Sequence, residues 1–119
     1  MNALQVFAGP RACAHLREHG LRPADVRVVP AAAGGPKGLV LNPLDRFIFG
    51  PWLQGCPSQV HLLGASIGAW RMACACLPDA GAALAELAED YITQQYEHAP
   101  GKAPTPRTVS RAFGQKLQQ

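Results

Sequence analysis

The chain has 119 residues, 48% apolar and 16% charged, which admits one compact domain with its own core and excludes disorder over the whole length. Its net charge of +3 is unevenly placed: seven Lys/Arg meet eight Asp/Glu up to Glu97, and Lys102, Arg107, Arg111 and Lys116 follow with no acid. Four cations over some twenty residues, with Phe113 the one aromatic among them, read as a solvated helix face, so no nucleic-acid partner is expected.

Leu4 to Ala8 is a short apolar run of strand character, broken by Gly9-Pro10. Pro10 suits the first turn of a helix, which would turn Ala12, Cys13, Leu16 and His19 inward and end at Gly20. A turn at 22–25 leads into Val26-Arg27-Val28-Val29, a β-strand by its branched side chains. The glycine-rich stretch Gly34-Gly35-Pro36-Lys37-Gly38 follows. Leu39 to Phe49 then carry apolar residues at helical spacing, with Pro43 predicting a kink or a restart capped by Asn42.

Pro51, Gly55 and Pro57 make a loop, and Gln59 to Leu63 a second strand, apolar enough for the centre of a parallel sheet. Gly64 to Gly68 form a tight turn before a helix of small residues from Ala69 to Leu77. Asp79 caps a longer helix with the stripe Leu84, Leu87, Ala88, Tyr91 and Gln95. A Pro-rich linker over 99–104 precedes a last helix from Thr105-Pro106, with Val109, Phe113 and Leu117 on one side. The order β-α-β-α-β-α-α predicts an α/β fold, a parallel β-sheet with helices on both faces.

Cys13, Cys56, Cys74 and Cys76 form no Cys-x-x-Cys pair and have no histidine at zinc spacing. They read as small core residues in a reducing compartment, and neither metal nor cofactor is expected. With no secretory signal pattern and no apolar segment of ~20 residues, a cytoplasmic location is expected.

Gly64-Ala65-Ser66-Ile67-Gly68, between a strand and a helix, has the form of a nucleophile elbow. Its serine projects from a strained turn, and the glycines remove the Cβ atoms that would collide with the flanking strand and helix. The N–H of Ile67 is then an oxyanion donor at a helix N-terminus. Background composition produces Gly-x-Ser-x-Gly in roughly one chain in twenty-five of this length, and the flanking strand and helix cut that several-fold. The alternative is a plain turn in which Ser66 caps the helix.

The earlier segment Gly34-Gly35-Pro36-Lys37-Gly38 lacks the Gly-Lys-Ser/Thr end of a phosphate loop and the Gly-x-Gly-x-x-Gly of a dinucleotide site. As an oxyanion loop it would offer the N–H groups of Gly34, Gly35, Lys37 and Gly38; Pro36 has none.

These two motifs in this order resemble the patatin-like phospholipases, serine lipid acyl hydrolases. That family has a Gly-Gly-Gly-x-Arg/Lys-Gly oxyanion loop, a Gly-x-Ser-x-Gly elbow and a downstream Asp-Gly. Gly34, Gly35, Lys37 and Gly38 match the loop, and Gly64, Ser66 and Gly68 the elbow, over roughly Val26 to Leu77. The resemblance implies a three-layer α/β/α fold and a Ser–Asp dyad acting through an acyl-enzyme on Ser66. It also implies a lipid or small ester substrate and transient contact with a membrane surface. Lys37 would help to fix the loop. Three departures stand out: Ala33 replaces the first glycine, lysine replaces the more bidentate arginine, and no Asp-Gly occurs.

Asp25 reads as a turn residue, Asp45 as a helix-surface or cap residue, Asp79 as a cap and Asp90 as a solvated helix face. His61 and His98 are the histidines nearest the motif in sequence, and neither is a natural partner. The expectation is therefore an N-terminal part of a patatin-like domain over 1–98, with a linker and the start of a further helix over 99–119. Alone it would be inactive, its Asp lying beyond the chain. The competing readings are part of an α/β-hydrolase with a Ser-Asp-His triad, and a non-catalytic degenerate homologue.

Overall fold

The computed structural model describes residues 5–116. Among them the fold is mixed, with five α-helices and one parallel two-stranded sheet. The chain divides into two compact units, the first running through Ala88 and the second from Glu89.

Helix α1 spans Pro10–His19, with Pro10 in its first turn and Gly20 at φ 71° closing it, because only glycine takes that left-handed geometry without strain. Cys13 and Leu16 are half-buried, whereas Ala12 and His19, expected inside, are exposed. Residues 5–9 form no strand; Leu4 lies outside the described residues. Val6 and Phe7 stay 67% and 88% exposed, so apolar character there is not matched by a pairing partner.

Strand β1 is Val28–Ala31, two residues later than the branched run suggested. The delay comes from a 3-10 turn over Pro23–Asp25, in which the Asp25 carboxylate accepts the Arg22 N–H and Val26 N–H reaches the Pro23 carbonyl. That backbone hydrogen bond holds the exposed Asp25 carboxyl below the usual carboxylate range, and the His15 imidazole at 2.9 Å adds to the effect.

Strand β2, His61–Gly64, pairs parallel with β1 in the register Val28↔His61 to Ala31↔Gly64. Arg27 and Ala31 carbonyls accept from His61 and Ala65, so alternate residues of β1 face β2. Pro30, which has no N–H, takes an intervening position where none is needed for this ladder.

Between the strands a 3-10 segment, Gly35–Leu41, runs into helix α2, Asn42–Phe47, and one wide turn over Ile48–Trp52. The proline conflict is resolved by a restart: Pro43 falls in the first turn of α2, where a missing N–H costs nothing. Leu41, rather than Asn42, holds the cap position. The Asn42 amide instead donates to the Leu84 carbonyl at 2.6 Å, tying α2 to the helix that carries Leu84.

Helix α3 is Ile67–Ala75 and α4 is Ala80–Thr93. Ile67, Met72, Ala80 and Leu84 are buried, Leu84 completely, and with Ala31 they make the core of the first unit. Asp79 Oδ1 accepts the Ala82 N–H at 2.9 Å, the capping bond expected of it. Asp79→Ala should cost about 1 kcal/mol, read as a lowered urea midpoint at unchanged slope. Gln95 falls beyond the end of α4.

Helix α5, Pro106–Lys116, opens with Thr105 accepting the Thr108 N–H, and half-buries Val109 and Phe113; Leu117 lies outside the described residues. Within this second unit Tyr91 and Phe113 rings sit 6.4 Å apart, and Lys116 pairs with Asp90.

All four cysteines are free thiols. Cys76 is exposed rather than a core residue, while burial, then the Glu86 charge, push the Cys74 thiol up. No helix among the described residues is long and apolar enough to cross a membrane, and no cluster of three or more His, Cys, Asp or Glu could hold a metal ion.

Candidate functional site

A parallel pair delivers the segments after both strands to the same edge. Here β1 ends at Ala31 opposite Gly64, the last residue of β2. The glycine-rich loop and the serine turn therefore leave the sheet side by side, although 32 to 60 separate them in the chain.

Ser66 has φ 54° and ψ −126°, and is the one residue other than glycine at positive φ among those described. Such a conformation costs of order 1–3 kcal/mol in any residue with a Cβ. It is not offset by capping: Ser66 precedes α3 but its side chain makes no cap hydrogen bond. Its hydroxyl is exposed and bonds no other described residue.

The flanking glycines are required by close approach. A Cβ on Gly64 would lie 2.5 Å from the Ala69 nitrogen and from the Gly68 carbonyl oxygen. On Gly68 it would lie 2.7 Å from the carbonyl carbon of Ala31 and 2.9 Å from the oxygen of Ala32. The turn is thus pressed against its own helix on one side and the end of β1 on the other.

The loop reaches the turn from that end of β1. Gly38 is buried, and a Cβ there would meet Ile67 Cγ2 at 2.9 Å and Arg71 Cδ at 3.7 Å. Gly35 sits at φ 53°, the left-handed geometry that bends the loop into its 3-10 segment. As the first residue of α3, Ile67 has an N–H with no acceptor inside its helix. Gly34 and Gly35 precede the first internal bond of the loop, which runs from Lys37 N–H to the Gly34 carbonyl at 3.3 Å. The Lys37 amide is therefore engaged rather than offered to a ligand.

Lys37 is exposed, and no carboxylate pairs with it among the described residues. The cation packed against the loop is Arg71, which sequence reasoning passed over. Its Nε and Nη2 donate to both carboxylate oxygens of Asp45, at 2.6 and 2.8 Å. Asp45 is 4% exposed and Arg71 6%, so Asp45 is neither a surface nor a cap residue. A single charge inside a helix of small apolar residues, Ala69 to Ala75, was the signal for it: such a charge is buried only when paired.

Each aspartate has a partner. Asp25 is held by Arg22 and His15, Asp45 by Arg71, Asp79 by the Ala82 N–H and Asp90 by Lys116. His61 lies at the start of β2, the far end from the turn, and His98 bonds the neighbouring Ala99 carbonyl at 3.2 Å.

Two clefts open elsewhere on the first unit. One of about 710 Å³ is walled by Pro43, Arg46, Phe47, Phe49 and Pro78. The other, about 480 Å³, lies among Leu53, Cys56, Val60, Leu62 and Cys76. Compared with known proteins, the chain matches no family model, no curated protein and no solved structure.

Proposed function

We propose that the chain carries the nucleophile and oxyanion loop of a serine acyl hydrolase of patatin type, acting on lipid or other carboxylic esters. The observation that carries this reading is Ser66: a strained backbone with no structural return, at a helix N-terminus beside a second glycine-rich loop. Strain that holds one side chain clear of the backbone is expected at a reacting group.

In the proposed reaction Ser66 Oγ attacks the ester carbonyl carbon while its proton passes to a general base. The carbonyl oxygen becomes an oxyanion, met by the N–H of Ile67 and by those of Gly34 and Gly35. Collapse breaks the bond to the alcohol, which leaves with the proton. Water then cleaves the acyl-serine to free acid and restores the hydroxyl. No metal or cofactor takes part in this scheme.

The four aspartates are engaged elsewhere, so none of them is offered as the base of the dyad. Exposed Val28 and Leu63 support a wider, three-layer α/β/α arrangement, since parallel strands are ordinarily covered on both faces. A cytoplasmic protein that meets its substrate at a membrane surface completes this reading.

The test is a fluorophosphonate probe on the full-length protein. Wild type should be labelled on Ser66, and Ser66→Ala should lose labelling entirely. An unlabelled wild type would instead favour a non-catalytic homologue.

A further inference from the structure

The buried ion pair between α2 and α3 has no place in the acyl chemistry itself. A charge pair withdrawn from water is no cheap source of stability, because desolvation offsets most of the attraction between the partners. Its location suggests another role. Arg71 stands on the helix that begins at the Ser66 turn, one turn beyond Ile67; a Cβ on Gly38 would collide with Ile67 at 2.9 Å and meet the Arg71 Cδ at an ordinary 3.7 Å. Its partner, Asp45, stands on α2, which continues directly from the loop's own 3-10 segment.

Three parts meet here. The Arg71 Cδ lies 3.7 Å from the place a Cβ on Gly38 would take, and its guanidinium fork spans both oxygens of Asp45. Gly38 in the middle of the segment and Asp45 beyond its C-terminal end are thus both neighbours of one side chain of α3. A planar, two-bond fork fixes distance and orientation together, which a single ammonium cannot. Hole donors contributed by two separate segments must keep their spacing to about 0.5 Å to act on one oxygen.

We propose that Arg71 and Asp45 are a positioning pair that sets the Gly34–Gly38 loop against the Ser66 turn. The pair touches no substrate; it holds the N–H groups of Gly34 and Gly35 in register with that of Ile67. This rests on the acyl-hydrolase reading only for its chemical consequence, because the geometry can be tested by itself.

The experiment uses the full-length protein, with Arg71→Met/Asp45→Leu to remove the fork while keeping apolar volume, and Arg71→Lys to keep charge and stem without it. Two quantities are measured, amide hydrogen exchange at Lys37 to Leu41 and the rate of fluorophosphonate labelling. Both variants should speed exchange at the Lys37 amide about tenfold or more, with exchange in the body of α4 unchanged. The maximal labelling rate should fall about 10–100-fold, with half-saturation by the probe little altered.

Arg71→Lys serves as the folded variant if the double substitution fails to fold. Loop exchange and labelling both at the wild-type level in a folded variant would overturn the pair's positioning role. A wild type that takes no label would sink the acyl-hydrolase reading instead, and loop exchange alone would then decide the proposal: faster exchange upholds it, unchanged exchange overturns it.

Discussion

Ser66→Gly should make the protein more stable and chemically silent at once. Wild-type Ser66 occupies φ 54° and ψ −126° with a Cβ attached. Relieving that strain returns about 1–3 kcal/mol, and the extra freedom of glycine in the unfolded chain takes back about 0.5–1 kcal/mol. The net gain should be about 1 kcal/mol, seen as a melting temperature higher by several degrees. Ser66→Ala keeps the Cβ, hence the strain, and should leave stability within about 0.5 kcal/mol of wild type.

The opposite pattern is expected of a helix cap. Removing a capping serine costs about 1 kcal/mol as alanine and only a few tenths as glycine. Thermal or urea unfolding of the two variants therefore separates the roles without any substrate. A loss of about 1 kcal/mol in Ser66→Ala would show that the hydroxyl supports α3 and would count against a held nucleophile.

Gly68→Ala should be among the most damaging single substitutions in the chain. Its Cβ would stand 2.7 Å from the Ala31 carbonyl carbon and 2.9 Å from the Ala32 oxygen. Both belong to backbone at the end of β1, whose Ala31 carbonyl is already committed to Ala65 N–H. No side-chain rotation relieves such a contact, so α3 must move off the strand and the paired ends of β1 and β2 must part. The cost should be about 3 kcal/mol or more.

Gly81→Ala is the control. It lies in the first turn of α4, where the new methyl would meet only Asp79 Oδ1 at an ordinary 3.6 Å. Alanine there should gain roughly 0.5–1 kcal/mol from helix propensity. Equal losses at both sites would show that the end of β1 yields, and that the close packing around the turn is not required.

Much of this architecture was legible in the residues. Pro10 and Gly20 bounded α1, Asp79 capped α4 and Thr105 opened α5, because these signals act through bonds to near neighbours. Periodicity located both strands but began each two residues early, β1 because the turn at Pro23–Asp25 consumes Val26. It failed at residues 5–9, where apolar character had no strand to pair with. The lesson is the same at Asp45: acid on a short helix suggests solvent until a cation from elsewhere arrives to bury it.

The sequence by itself determined the turn at Ser66. Gly64 and Gly68 are the residues that permit it, and strand before and helix after are local consequences of composition. What only the tertiary structure decided is the company that turn keeps. The register Ala31↔Gly64 sets the glycine-rich loop beside it, and Arg71 joins Asp45 while its stem stands beside Gly38. Strand pairing and buried charge pairing join residues far apart in the chain, and no window of sequence contains both partners. The same packing buries Asp45 against Arg71, while near-neighbour bonds hold Asp25 and Asp79 and Lys116 pairs with Asp90, and the serine is left strained and exposed at the turn.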